Sequence, residues 1–195
     1  MASKKVKKEI RDWAIFAGIL LTLYFTGLHT DVAAFAQRIV LATGVANPDI
    51  EIPKVKTRAA YDFTLDKLEG GSYDFEQLRG KIVFINFWAT WCPPCIAEMP
   101  GIQSLYDVYK DNEDIVFVMI SLDKNRNKAK KFIDKKGFTF PVFFPDKGGI
   151  PKVYESKGIP TTFVIDKEGI IAHRKVGMAN YDAKTFIEYL RKLAE

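Results

Sequence analysis

Cysteine and histidine are scarce in this chain: 195 residues hold two of each, Cys92, Cys95, His29 and His173. A structural zinc ion needs four ligands in closed tetrahedral geometry, and the two histidines lie far from the cysteines, one in an apolar leader and one in a later strand. That shortage argues against zinc, and no other cofactor is implied. Cys-x-x-Cys-His is absent, so the chain carries no attachment point for a c-type haem. A bridge across two intervening residues restrains the unfolded chain too little to serve only as a structural disulfide. Nucleic-acid motifs are also missing. The net charge of +5 is concentrated at the start, where Lys4, Lys5, Lys7, Lys8 and Arg11 outweigh Glu9 and Asp12. A second basic cluster, 124–136, reads as the solvated face of a helix whose apolar positions are Phe132 and Ile133. A nucleic-acid partner is not expected.

What the chain does have is a core and a reactive pair. Apolar residues make up 48% of it, with 15 Phe, ample for one globular domain plus an appendage. Cys92 and Cys95 sit in Trp91-Cys92-Pro93-Pro94-Cys95, between the apolar run 82–88 and a predicted helix over 96–110. At a helix N-terminus, free N–H groups and the helix dipole favour negative charge, so Cys92 can be held as a thiolate. Thiolate is the form that attacks a disulfide. Pro94 suits a first helical turn because it has no N–H to satisfy and a fixed φ. Pro93 stiffens the loop and removes a backbone donor near the sulfur. Trp91 either shields the pair or simply packs.

The leader contains sixteen uncharged residues, 13–28, behind the basic cluster. As a helix these span about 24 Å, slightly short of the hydrocarbon core, and Lys8 and Arg11 can snorkel to close the gap. The positive flank stays cytoplasmic, which sends the rest of the chain outward. Ala34-Phe35-Ala36 has the small-x-small form of a signal cleavage site. An uncleaved anchor is favoured over it, because 32–45 continues as an apolar stretch suited to a helix at the outer membrane boundary. Asn47-Pro48 and Pro53 mark a linker over 47–58. The expected organisation is an anchor over 1–46, that linker, and a globular domain over 59–195.

Within the domain, strands are expected at 63–65 and 72–75 as a hairpin around Glu69-Gly70-Gly71, with Asp74 capping a helical turn. The runs 82–88 and 115–120 read as buried parallel strands joined by the helix that starts at the cysteines. A Lys-rich helix over 127–136, a strand at 142–144 and a short helix at 151–156 follow. A hairpin of 161–165 with 170–176 and a final helix over 182–193 complete an α/β domain, a central mixed sheet with helices on both faces. His173 reads as a surface residue of its strand.

Residues 80–100, from Gly80-Lys81-Ile82 through Trp91-Cys92-Pro93-Pro94-Cys95 to Glu98-Met99-Pro100, resemble the TlpA/ResA group of membrane-tethered thioredoxin-like proteins. The likeness continues through Gly158-Ile159-Pro160-Thr161-Thr162 and covers about residues 59–195. It implies a thioredoxin fold with an extra β-α insertion, supplied by 124–144. It implies that members reduce protein disulfides outside the cytoplasm, several serving cytochrome c maturation, with a membrane thiol relay as electron donor. The implied location is a bacterial cytoplasmic membrane, single-pass, with the catalytic domain facing the periplasm.

In that family Cys92 would attack and Cys95 would resolve the mixed disulfide. Ile159-Pro160 would form the cis-proline loop against which a substrate peptide pairs. Glu98, one helical turn after Cys95, would be partly buried and move the resolving cysteine's proton. As plain sequence, Glu98 is also a favourable partner for the helix dipole. Where many thioredoxins carry a buried aspartate, this chain has Asn86, which does not titrate. A disulfide oxidase or isomerase would use the same residues at a higher potential. A thiol peroxidase of the peroxiredoxin type needs Thr-x-x-Cys, and Pro93-Pro94-Cys95 is not that.

Overall fold

The structure, a computed structural model, describes residues 2–26, 28–42, 48 and 56–195. Two helices come first, α1 (Ala2–Thr26) and α2 (Leu28–Ala42). Among the described residues no helix is long and apolar enough to cross a membrane. The second helix begins earlier than the apolar pattern suggests, and residues 43–45 at its expected end lie outside the described residues. Most of the expected linker does too. The sheet is already engaged at residue 57, where the carbonyl of Thr57 accepts the N–H of Ile171 at 2.9 Å and Arg58 bridges Ile170.

The strands are β1 (Thr64–Lys67), β2 (Ser72–Asp74), β3 (Ile82–Trp88), β4 (Ile115–Ser121), β5 (Val142–Pro145), β6 (Thr161–Ile165) and β7 (Ile171–Val176). They form one mixed sheet in the order β2-β1-β5-β4-β3-β6-β7. β3 and β4 pair in parallel, connected by α3 (Pro93–Tyr109). The expected insertion is present as α4 (Arg126–Lys136) followed by β5. α4 starts at Asn125, whose side chain accepts the N–H of Lys128, and stops at Gly137, whose φ of 69° is left-handed.

Every residue of β3 is buried, as its unbroken apolar run requires. Its even-numbered positions Phe84 and Trp88 join Met99, Ile102 and Leu105 of α3, Ala129 and Ile133 of α4, and Phe186 of α5 (Lys184–Ala194). Its odd-numbered positions Val83, Ile85 and Phe87 pack with Phe75, Leu78, Tyr154 and Phe163. The expectation of helices on both faces is therefore corrected. Among the described residues α3, α4 and α5 contribute to one core layer, and two 3₁₀ turns, Phe75–Leu78 and Lys152–Tyr154, roof the other. The expected helix at 151–156 is a single 3₁₀ turn, Lys152–Tyr154, which ends where Glu155 becomes extended.

His173 also departs from expectation. It is buried, with its ring 5.5 Å from Phe186 and 6.2 Å from Tyr189. α5 covers it through Phe186 and Tyr189, and the β6–β7 register is irregular between Val164 and Ile165. Simple alternation cannot foresee such a shift.

Phe84 lies at the centre of the helical layer, 5.0 Å from the ring of Phe117 and 5.3 Å from that of Tyr181. Phe84→Ala should cost about 3–5 kcal/mol in urea unfolding. Val108→Ala, on the exposed side of α3, should change it by less than about 0.5 kcal/mol.

Candidate redox site

The site forms where β3 runs out. Residues 89–91 turn the chain from the strand into α3, and a buried carboxylate holds that turn. The Asp123 side chain accepts the Thr90 N–H at 2.8 Å and the Thr90 hydroxyl at 2.7 Å. The Ser121 hydroxyl donates to the same carboxylate at 3.0 Å. Because β3 and β4 are parallel, their C-terminal ends lie side by side, which brings Asp123 to Thr90. The sequence reading missed Asp123. Its position just past the neighbouring parallel strand was the available signal.

Cys92 occupies the N-cap of α3, with Pro93 and Pro94 in the first turn. The helix therefore starts two residues before the cysteine pair ends, earlier than expected. Its sulfur accepts the N–H of Cys95 at 3.3 Å. The two prolines spare two N–H groups that would otherwise need partners. Cys92 and Cys95 are joined as a disulfide, S–S 2.06 Å, with Cα atoms 5.3 Å apart. Cys92 retains 5% exposure and Cys95 none, so only the first sulfur can be approached from outside.

The Ile159–Pro160 peptide bond is cis. The Ile159 carbonyl oxygen lies 3.7 Å from the Cys92 sulfur. β6 runs antiparallel to β3, so its start meets the end of β3 and delivers this loop to the disulfide. Trp91 is 55% exposed beside the pair, which excludes an ordinary packing role. Ile159 also borders a shallow cavity of about 150 Å³ with Phe87, Leu122 and Tyr154. Larger cavities of about 620 and 530 Å³ are lined by other parts of the sheet and its loops, without either cysteine. The chemistry thus sits at a surface, open to a polypeptide.

Glu98 is 1% exposed, on α3 one turn after Cys95. One carboxyl oxygen accepts the Asn86 side-chain amide at 2.8 Å and the other accepts the Ala179 N–H at 3.0 Å. Asn86 also donates to the Thr162 hydroxyl at 2.9 Å. Burial pushes the Glu98 carboxyl up from 4.5 to about 8, against the two hydrogen bonds, which pull it down. Burial also drives the neighbouring Tyr181 hydroxyl well above its ordinary value, with the charge of Glu98 adding to the shift. Thr162, Ala179 and Tyr181 were not foreseen, because only the folded sheet brings them to α3.

A cysteine pair at a helix N-terminus, facing a cis-proline loop at the end of a mixed sheet, defines a thioredoxin-fold thiol–disulfide oxidoreductase. A profile of the AhpC/TSA family matches residues 57–174, and the chain belongs to that family. It is 30% identical over 189 residues to the thiol-disulfide oxidoreductase ResA of Geobacillus thermodenitrificans, covering 95% of this chain and 99% of that one. It is 39% identical over 119 residues to the thioredoxin-like protein YneN of Bacillus subtilis, covering 60% and 69%. Among solved structures, StoA from Bacillus subtilis matches with a TM-score of 0.55 and 29% identity, over 73% of this chain and all of that one. A thioredoxin-family thiol:disulfide interchange protein from Chlorobium tepidum matches with a TM-score of 0.56 and 27% identity, over 71% and 98%. The protein is a redox enzyme of this type, and its class acts on disulfide-containing proteins.

The raised carboxyl gives a stability signature. Between pH 4.5 and about 8 the folded chain holds a proton on Glu98 that the unfolded chain has lost. Stability should therefore fall as pH rises through that window and level off above it. Urea midpoints of the oxidised protein across this range should show the slope, and Glu98→Gln should flatten it. Asn86→Leu removes a donor that favours the ionised form, so it should move the upper end of the slope to higher pH.

Proposed function

We propose that the enzyme is a protein-disulfide reductase tethered to the outer face of a bacterial cytoplasmic membrane. The observation that carries this reading is the pairing of a reachable Cys92 with a buried, proton-holding Glu98 behind a shielded Cys95. In the reduced enzyme the Cys92 thiolate, favoured by the start of α3, attacks one sulfur of a substrate disulfide and expels the other as a thiolate. A mixed disulfide forms. Ionised Glu98 takes the proton of the Cys95 thiol, and the new thiolate attacks the Cys92 sulfur. The second substrate sulfur leaves as a thiolate, Glu98 releases the Cys95 proton to solvent, and solvent protonates both substrate thiolates. The substrate is then a dithiol and the enzyme the Cys92–Cys95 disulfide seen here. The backbone of Ile159, beside Pro160, offers the incoming peptide an edge to pair with, and Trp91, Pro93 and Pro94 form the face it meets.

Tethering is supported by the uncharged residues 13–28 behind a basic flank, which orients the domain outward. Retention of the leader is supported by Ala34, buried against α3 inside a continuous α2. The expected linker over 47–58 gives up its last two residues to the sheet, where Thr57 and Arg58 meet Ile171 and Ile170. A membrane thiol relay fits as electron donor, since an oxidising compartment would otherwise leave the pair oxidised. Cytochrome c maturation fits as the physiological setting, through reduction of an apocytochrome disulfide.

Cys92→Ser should abolish reduction of a protein disulfide such as that of insulin. Cys95→Ser should instead accumulate mixed disulfides visible on a non-reducing gel. Trapping by Cys92→Ser rather than Cys95→Ser would reverse the assigned roles. Glu98→Gln should slow turnover about a hundredfold, the low end for a positioned acid–base group. It should also remove the limb of the pH–rate profile near 8. An unchanged profile would leave Glu98 a structural residue.

A further inference from the structure

We propose that Arg38 of α2 is a positioning residue for the catalytic helix, supplying a hydrogen bond that Pro100 withholds from α3. α3 holds Pro100 in its interior and continues past it to Tyr109. Proline has no N–H, so the carbonyl four residues earlier, that of Ile96, receives no donor from its own helix. The proline ring also crowds that carbonyl and opens the helix there. Ile96 is 1% exposed, which keeps water from serving as the substitute. A buried carbonyl without a donor is costly.

The Arg38 guanidinium donates to this carbonyl at 3.5 Å. The fit is built into α2. Asp31, Ala34, Arg38 and Leu41 recur at spacings of three and four, so they share one face of the helix. Ala34 and Leu41 are buried with Ile96 and Ala97, and Asp31 pairs with Lys136 of α4 at 2.9 Å. Arg38 thus lies between two apolar contacts, aimed at the turn that the proline interrupts.

The place of the gap ties it to the chemistry. Pro100 divides α3 into a short first piece, which carries Cys95 and Glu98, and a longer second piece anchored in the core by Ile102 and Leu105. Without Arg38 the hydrogen-bond ladder is open at the proline, and the short piece is free to tilt about it. A tilt lengthens the bonds that Glu98 accepts from Asn86 at 2.8 Å and from Ala179 at 3.0 Å. Both bonds favour the ionised carboxylate, so their loss leaves Glu98 protonated to higher pH. The titratable groups around Glu98 are Cys95 on its own helix and Tyr181 before α5, whose hydroxyl burial keeps protonated. The leader helix therefore helps to set the pH at which Cys95 becomes a nucleophile. This inference rests on the acid–base reading of Glu98 and adds to it a residue from outside the thioredoxin domain.

The test is a double-mutant cycle in the full chain, with Arg38→Met to remove the donor and Pro100→Ala to return an N–H to α3. The readout is the limb near pH 8 in single-turnover reduction of insulin by the pre-reduced enzyme. Arg38→Met should move that limb upward by about half a pH unit or more. In the Pro100→Ala background the same substitution should leave the limb in place, because α3 then closes its own ladder. A limb unmoved by Arg38→Met but removed by Glu98→Gln overturns the inference and leaves the role of Glu98 standing. An equal shift in both backgrounds also overturns it, since Arg38 would then act through packing or charge. A limb that survives Glu98→Gln overturns the acid–base reading and this inference together.

Discussion

The site depends on a carboxyl group removed from water beneath a disulfide. Desolvation opposes charge on Glu98, while Asn86 and Ala179 each donate a hydrogen bond that favours it. The balance leaves a group that can both release and accept a proton near neutral pH. That balance needs the whole domain. Asn86 reaches Glu98 only because it is an even-numbered position of β3, on the side that packs against α3. An alternating strand shifted by one residue would bury it in the opposite layer. Ala179 reaches the second oxygen from the loop after β7, so both edges of the site meet at this one side chain.

The same economy of placement governs the sulfurs. Three segments converge at one end of the sheet: the turn after β3, the residues after β4, and the loop before β6. Parallel pairing of β3 with β4 brings Asp123 to Thr90, and antiparallel pairing of β3 with β6 brings Ile159 to Cys92. Cys92 then keeps a small opening to solvent at the cap of α3 while Cys95 has none. The difference in access supports the proposed roles of Cys92 as attacker and Cys95 as resolver. It also sets what can be attacked, since the sulfur lies at a surface and in neither of the two larger cavities.

Much of this was legible before the structure. Unbroken apolar runs marked β3 and β4 because strands buried on both faces cannot alternate, and the cysteine pair marked the start of α3 within three residues. Ile159-Pro160 and Glu98 were reachable through family resemblance, since nothing local distinguishes a cis from a trans bond or a buried from a solvated helical Glu. What stayed hidden depends on contacts distant in sequence. Asp123 is unremarkable as a loop aspartate until two strands lie side by side. His173 was misplaced because the rings that cover it, Phe186 and Tyr189, come from a later helix, and the layer without α-helices was missed because the segment 151–156 forms only one 3₁₀ turn. Packing of α2 on Ile96 was equally invisible, because both of its faces carry apolar residues.

The chemistry runs in either direction in principle, and the potential of the pair decides which. The most direct measurement is therefore the reduction potential of Cys92–Cys95 in the full chain, equilibrated against glutathione and dithiothreitol buffers. A value at or below about −220 mV is the result this account requires, because such a dithiol is driven to reduce protein disulfides once a relay recharges it. A value near about −120 mV would contradict it and make the protein an oxidant that installs disulfides.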